Sequence, residues 1–283
     1  MTSVARIVWS WCNCLSIDAT MIAIAWQAIF TRAFLNRWPS FAESLSLGGA
    51  VWLIYVADRL LDSRRLDLSK PHSSRHRFHH DHRFGLTLAW VIGLIGVSTV
   101  ALTGLNESLL RLGVGVCVSV LVYGAGVHFV DAPRLPKETL VGCIFAVGVS
   151  LVAWTEMPSA SLAMSTGLAA CIFVANCHIV ATTESFLDHA QSFRSCAVAN
   201  DVRWTPGFWF IFLIAVIHGL LGLPWIVSGS LIGSVLIFIW IQQHQADDLV
   251  RVSNMVYSPS PRGVWADAVL FFLPVGIAWA SMA

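Results

Sequence analysis

Two pairs of acidic residues have the spacing that places both carboxylates on one face of a helix. Asp58 and Asp62 are four residues apart, and so are Glu184 and Asp188. Residues at this spacing lie one turn apart, so each pair could share a cation. One such pair alone is also typical of a solvated helix end, whereas four carboxylates together repel one another unless something positive binds. Mg²⁺, which takes carboxylate oxygens and often bridges them to phosphates, is the cofactor we expect.

Basic residues accompany the acid pairs. Arg59 and Arg64 lie next to the first pair, and Lys137 begins a later apolar segment. Arginine binds phosphate oxygens through two parallel hydrogen bonds, and lysine binds them as a point charge. Basic residues beside membrane segments are also expected from topology and anionic lipid alone. With the acid pairs, they favour a site for a phosphate compound and its metal ion.

Two uncharged polar residues precede the acid pairs along the chain. Tyr55 lies three residues before Asp58, and Asn176 lies eight residues before Glu184. The Tyr55 ring could stabilise a cationic substrate through its π face. Asn176 either touches a substrate or bonds a neighbouring helix, because an amide inside a membrane segment needs a partner. Both are therefore candidate substrate-binding residues, as are the three basic residues.

The composition indicates a membrane protein. Of the 283 residues, 57% are hydrophobic and 12% are charged, and the mean hydropathy is +0.72. An ordinary soluble domain has about 25% charged residues, which cover its surface, whereas lipid solvates apolar side chains directly. Soluble enzyme classes are therefore excluded. The formal net charge of +1 gives no reason to expect nucleic acid as a partner.

Nine apolar segments predict an all-α polytopic membrane protein. We expect residues 1–283 to form one integral-membrane domain, with no separate soluble part. Short connections pair the third segment with the fourth and the seventh with the eighth as helical hairpins. The segments are 7–30, 41–57, 86–104, 109–130, 138–156, 161–182, 207–226, 228–243 and 265–282. Long polar loops follow every second segment, at 58–85, 131–137, 183–206 and 244–264.

The distribution of basic residues predicts the orientation. Of the 17 Lys and Arg residues, all but Arg32, Arg37 and Arg111 lie near the N-terminus or in the four long loops. Loops rich in Lys and Arg face the cytoplasm. We therefore expect a multi-pass protein of the cytoplasmic membrane, with its N-terminus and both acid pairs at the cytoplasmic face.

The arrangement of segments and motifs resembles the UbiA superfamily of intramembrane prenyltransferases. The resemblance covers essentially the whole chain, with an acid pair closing segments two and six and a lysine opening segment five. It implies a bundle of two four-helix halves followed by a C-terminal helix. Its most specific parts are Asp58-Arg-Leu-Leu-Asp62, the stretch from Leu135 through Lys137 to Gly142, and the stretch from Asn176 through Glu184 to Asp188.

The resemblance also implies a reaction. An isoprenyl group would pass from an isoprenyl diphosphate to a lipophilic acceptor, expected to be aromatic, within the membrane. Mg²⁺ and basic side chains would stabilise charge on the departing diphosphate, and the allylic cation would form in a dry pocket. The implied catalytic and metal-binding residues are Asp58, Asp62, Glu184 and Asp188, and the implied substrate-binding residues are Arg59, Arg64, Lys137, Asn176 and Tyr55.

Three other functions stay open on the sequence. A terpene cyclase of the same superfamily would use the same metal site without an acceptor. The histidines in residues 72–82 match the HxxxH and HxxHH spacings of membrane di-iron oxidases, although a basic loop that contacts diphosphate or lipid headgroups is the favoured interpretation. A transporter or other non-catalytic membrane protein is supported by Asp18 and Glu156, isolated acids in or near apolar segments.

Overall fold

The computed structural model describes residues 11–128, 137–191, 205–222, 224–243, 250–253, 255–258 and 260–281. These residues form ten helices of defined extent and one three-stranded sheet. The helices are α1 (Ile17–Leu35), α2 (Phe41–Ser63), α3 (Ser74–Asp81), α4 (Arg83–Gly104), α5 (Glu107–His128), α6 (Lys137–Glu156), α7 (Ala160–Gln191), α8 (Thr205–Leu220), α9 (Trp225–Gln243) and α10 (Pro261–Ala280). The strands are β1 (His72–Ser73), β2 (Val250–Ser253) and β3 (Val256–Ser258).

Seven of the described helices are long and apolar enough to cross a membrane, namely α2, α4, α5, α6, α7, α9 and α10. Helix α8 contributes a shorter apolar stretch, Trp209–Leu220, and α1 is not among the seven. The prediction of a helical polytopic membrane protein is therefore confirmed. The count of nine membrane spans stays a prediction.

Side chains at the helix ends explain where α2 and α10 begin. Ser40 and Glu43 form a reciprocal capping box at the start of α2. The Ser260 hydroxyl accepts a hydrogen bond from the first turn of α10, whose first residue is Pro261. Before α2, the chain leaves α1 at Asn36, which adopts a left-handed conformation with φ of 53°. These local signals fix where the two helices enter the bundle.

The core forms around α1. Its side chains Trp26 and Phe30 are fully buried, as is Phe238 on α9. The Trp26 indole N–H donates a hydrogen bond of 2.9 Å to the backbone carbonyl of Leu270 on α10. Helix α1 also packs against α2 and α6. The helices α1 and α10 are thus held together in the core of the bundle.

Helices α6 and α7 approach each other closely at Gly142. A Cβ atom at this position would lie 2.5 Å from the backbone nitrogen of Val174. No real side chain tolerates that distance to a backbone atom, so the close approach requires glycine. The contact lies near the start of α6 and just before Asn176, so it fixes how Lys137 and Asn176 are positioned relative to each other.

Helices α4 and α5 form the most exposed surface of the bundle. Helix α4 has no buried residue and packs against α2, while α5 packs against α6. Their outward side chains include Leu88, Ile92, Ile95 and Leu121. Lipid is the solvent that accommodates such a surface without cost.

Two polar loops fold into a small structure at one end of the bundle, which we call the cap: β1, α3, β2 and β3. Strand β3 pairs in parallel with β1 and antiparallel with β2. The backbone N–H of His72 donates 2.8 Å to the carbonyl of Met255. The predicted loops 58–85 and 244–264 therefore lie at the same end, as the topology requires. The sheet and α3 themselves were not predicted from the sequence.

Candidate functional site

Both acid pairs lie in the last two turns of a membrane helix. Asp58 and Asp62 are near the end of α2, and Glu184 and Asp188 are near the end of α7, which continues past the predicted boundary at 182. All four side chains are half-buried. Because α2 ends at the cap and α7 is hydrogen-bonded to the loop before it, the pairs belong to one end of the bundle.

Lys137 links the two acid pairs. It is the first residue of α6, and its Nζ lies 3.9 Å from Asp58 Oδ1. Its charge also interacts with the carboxylates of Asp62 and Asp188. Asp188 in turn interacts with both Glu184 and Asp62. The structure therefore brings the predicted lysine and the four predicted carboxylates into one electrostatic cluster.

Arg75 is a central cation of this cluster that the sequence analysis missed. It lies on α3 in the cap, and its Nη2 is 2.7 Å from Glu184 Oε2 in an ion pair that is mostly shielded from solvent. Burial lowers the pKa of Arg75, but the carboxylates of Glu184, Asp18 and Asp188 outweigh it and raise the pKa overall. The guanidinium therefore stays charged. Its Nε atom is buried, and no described residue forms a hydrogen bond with it.

Arg59 points into the protein, away from the loop that follows it. The side chain is buried, and its guanidinium donates to the backbone carbonyl of Asn13. Asn13 also donates 2.7 Å to the buried carboxylate of Asp18. Arg59 interacts electrostatically with Asp18, Glu184 and Arg75. It thus joins the cluster to α1, while Arg64 is exposed at the C-cap of α2.

Asn176 makes an interhelical hydrogen bond. Its Nδ2 donates 2.9 Å to Asp267 Oδ1 on α10, which is one of the two roles considered for it from the sequence, while its role as a substrate-binding residue stays a prediction. Its Oδ1 is buried and has no hydrogen-bond partner in the part of the chain that the structure describes. Tyr55 interacts electrostatically with Asp267 and Asp18. Asp267 was not among the residues selected from the sequence. It is an isolated acid in an apolar segment, and the same feature drew attention to Asp18.

The histidines of the cap are largely buried. His72, His76 and His79 are 1%, 6% and 0% exposed, whereas the interpretation favoured from the sequence was a basic loop that contacts diphosphate or lipid headgroups. Their Nδ1 atoms contact the Lys70 carbonyl, the Ser73 hydroxyl and the Arg75 carbonyl, at 2.7, 2.9 and 3.0 Å. Burial, with Arg75 and Arg59, lowers the pKa of His76 well below its usual value, and burial lowers that of His79 to about 4. Those two imidazoles are therefore neutral at pH 7.

The positions of the acidic and histidine side chains limit how a metal ion could bind. Within the described residues, no group of three or more His, Cys, Asp or Glu side chains could hold one. The protein would therefore supply one or two carboxylates, and the remaining ligands would be water and phosphate, which is a common arrangement for Mg²⁺. A di-iron centre needs several protein ligands, and the described part of the chain offers no such cluster.

The carboxylates and the cations of the cluster can be compared by their formal charges. The described part of the site brings together the four predicted carboxylates and three cations, Arg59, Arg75 and Lys137, and Asp18 and Asp267 interact with it from deeper in the bundle. Carboxylates thus outnumber the fixed cations at this end of the bundle, which favours binding of a further cation. The loop basic residues Arg134, Arg194 and Arg203 lie outside the described residues.

Comparisons with protein-family models, with curated proteins and with solved structures found no match for this chain.

Proposed function

We propose that this protein is a membrane-embedded, Mg²⁺-dependent prenyltransferase, a divergent member of the UbiA superfamily. It transfers an isoprenyl group from an isoprenyl diphosphate to a lipophilic acceptor, expected to be aromatic. The active site faces the cytoplasm, because the loops at the charged end carry most of the basic residues.

One observation carries the proposal: two acid pairs, far apart in sequence, meet around Lys137 and Arg75 at one end of an apolar bundle. Fixed cations between carboxylates suit a metal diphosphate, because the cations bind phosphate oxygens while the carboxylates bind the metal. A solvated helix end would not require Arg75 and Glu184 to pair where solvent hardly reaches.

In the proposed reaction, the bond between the allylic carbon and the diphosphate oxygen breaks, and the electron pair leaves with the diphosphate. Mg²⁺, when bound, would supply Lewis-acid stabilisation of that leaving group. Lys137 and Arg75 hold the diphosphate oxygens, and Asp62 and Asp188 are the carboxylates that would hold the metal ion. Tyr55, one turn deeper on α2, presents its ring to the allylic cation.

The acceptor then attacks the allylic carbon, forms the new carbon–carbon bond and loses a proton. Water must be excluded during this step, because it would capture the cation as an alcohol. The cap covers the charged end of the bundle, with three of its histidines buried. We propose that it limits the access of water from that side.

The direct test is turnover of the purified full-length protein in lipid nanodiscs. Geranyl, farnesyl and geranylgeranyl diphosphate are supplied with Mg²⁺ or with EDTA, with and without a panel of phenolic acids that includes 4-hydroxybenzoate. Diphosphate release that needs both Mg²⁺ and an acceptor, with a prenylated product, is the expected result. Release without any acceptor, giving a hydrocarbon, would instead establish a cyclase. No release under any condition would overturn the proposal.

A further inference from the structure

Asp267 is an acid inside the bundle that the diphosphate site does not use. It lies on α10 and accepts the 2.9 Å hydrogen bond from Asn176. Asn176 precedes Glu184 on α7 by eight residues, which is about 12 Å along a helix. The Asp267–Asn176 pair therefore lies deeper in the bundle than the ion pair of Glu184 and Arg75. At this depth it would meet the hydrocarbon and acceptor parts of the substrates.

Asp267 has charged and polar neighbours. Asp267 interacts electrostatically with Asp18, Arg59 and Arg75, and Tyr55 and Cys177 interact with Asp267. Asn176 Oδ1 is buried without a partner among the described residues, so the amide can accept one more hydrogen bond. A carboxylate next to an unused acceptor is a place where a substrate hydroxyl and a departing proton could both be bound.

The neighbouring acid Asp18 already has a hydrogen-bond partner on each carboxylate oxygen. Its Oδ2 accepts a hydrogen bond from Asn13 at 2.7 Å, and its Oδ1 accepts one from the Ala19 backbone N–H at 2.9 Å. Both oxygens are therefore engaged within the protein. Asp267 Oδ1 is held by Asn176 alone among the described hydrogen bonds, and its Oδ2 carries none of them.

We infer that Asp267 is the catalytic base of the transfer reaction, and that Asn176 orients both its carboxylate and the acceptor. The inference rests on the proposed function. After the acceptor carbon has bonded to the allylic carbon, the proton on that acceptor carbon passes to Asp267 Oδ2. The electron pair of the broken carbon–hydrogen bond restores the aromatic ring. The diphosphate has already left with the electron pair of its own bond, so charge and atoms balance.

The test uses Asp267→Asn, which keeps the shape of the side chain and removes the base. The acceptor is the phenolic acid that the wild type uses, supplied with hydrogen or deuterium at the reacting ring carbon. We expect Asp267→Asn to retain Mg²⁺-dependent diphosphate release, with the product-to-diphosphate ratio lowered by on the order of 100-fold. We also expect an isotope effect on product formation that the wild type lacks, because proton removal becomes the slow step.

Two further variants complete the test. Asp267→Glu retains a carboxylate and is expected to restore most of the product with little isotope effect. Glu107→Gln, at an exposed acid at the start of α5, is the matched control and should behave as the wild type. An Asp267→Asn enzyme with an unchanged product ratio and no isotope effect would overturn the inference. So would equal loss of product in Asp267→Glu and Asp267→Asn, because a purely structural role predicts it.

The two proposals fail differently. If the wild type releases no diphosphate, the proposed function is wrong. If the wild type makes product and Asp267→Asn makes it equally well without an isotope effect, only the assignment of the base is wrong.

Discussion

Arg75 in the cap donates a hydrogen bond of 2.7 Å to Glu184 on α7, although 109 residues separate them in the chain. The side chains are 14% and 12% exposed, so this ion pair is largely shielded from water. This ion pair connects the histidine-rich helix α3 to Glu184 of the second acid pair. The charged end of the bundle is therefore built partly by the segment that follows the first acid pair.

Replacing Arg75 should damage both stability and activity. Arg75→Leu leaves Glu184 buried without its partner, and breaking a buried pair in this way costs about 3–5 kcal/mol. Arg75→Lys keeps the charge and should cost less. Thermal unfolding in detergent measures the effect, with Arg111→Leu as control, since Arg111 is 70% exposed. Equal melting temperatures for Arg75→Leu and the control would show that the pair contributes nothing.

Gln191 fastens the loop before the cap to the end of α7. Its amide donates to the carbonyls of Asp67 and Pro71 at 2.9 and 3.0 Å, and its Oε1 accepts from the Asp67 N–H at 2.9 Å. Gln191→Ala should free this loop and increase the rate of tryptic cleavage after Arg65. The exposed Gln243→Ala at the end of α9 is the control. Identical cleavage rates for the two variants would contradict this role.

Gly142 should not tolerate a larger residue. The Cβ of Gly142→Ala would lie 2.5 Å from the Val174 backbone nitrogen, so α6 and α7 must separate. Overpacking of this kind costs about 1–3 kcal/mol. Gly115→Ala on α5 is the matched control, because nothing lies within 4 Å of its Cβ position, and it should stabilise by about 0.5–1 kcal/mol. Opposite shifts in melting temperature are expected, and shifts of the same sign would be inconsistent with the contact.

Acidification should destabilise the protein through His79. Burial lowers its pKa in the folded state from 6.5 to about 4, so between these values the unfolded chain binds a proton that the folded chain excludes. The contribution is fully present above pH 6.5 and is lost as the pH falls toward 4, by at most about 3 kcal/mol.

His79→Gln removes this titration, so its stability should fall less than that of the wild type between pH 7 and pH 5. The exposed His82→Gln is the control and should keep the wild-type slope. If all three proteins lose stability equally over that range, His79 does not titrate as described.

Much of the helical framework could be predicted from the sequence, because the apolar segments are long and polar loops or short turns separate them. Helix α3 could not be predicted from the sequence, because its histidines and arginines give it a low hydropathy, which is typical of a polar loop. Its burial depends on pairing between β1 and β3, which are far apart in the chain.

In the candidate site, too, some features could be predicted from the sequence and others could not. The two acid pairs and Lys137 could be selected from the sequence, because the i, i+4 spacing places each pair on one helix face and the order of the segments places all of them at one end. The ion pair of Arg75 with Glu184 and the hydrogen bond of Asp267 with Asn176 could not be predicted, because these partners come from distant segments and only the packed bundle brings them together. The inward direction of Arg59 likewise depends on the Asn13 carbonyl.

The most direct test of the central claim is diphosphate release by Asp62→Asn and Asp188→Asn, with Glu107→Gln as control. The three variants and the wild type are assayed in nanodiscs with the best isoprenyl diphosphate, with Mg²⁺ and with EDTA, and their melting temperatures are measured in parallel. We predict that both site variants stay folded and lose Mg²⁺-dependent release by about 100-fold or more, while the control keeps it. Wild-type rates in folded Asp62→Asn and Asp188→Asn would contradict a metal diphosphate site at the acid pairs.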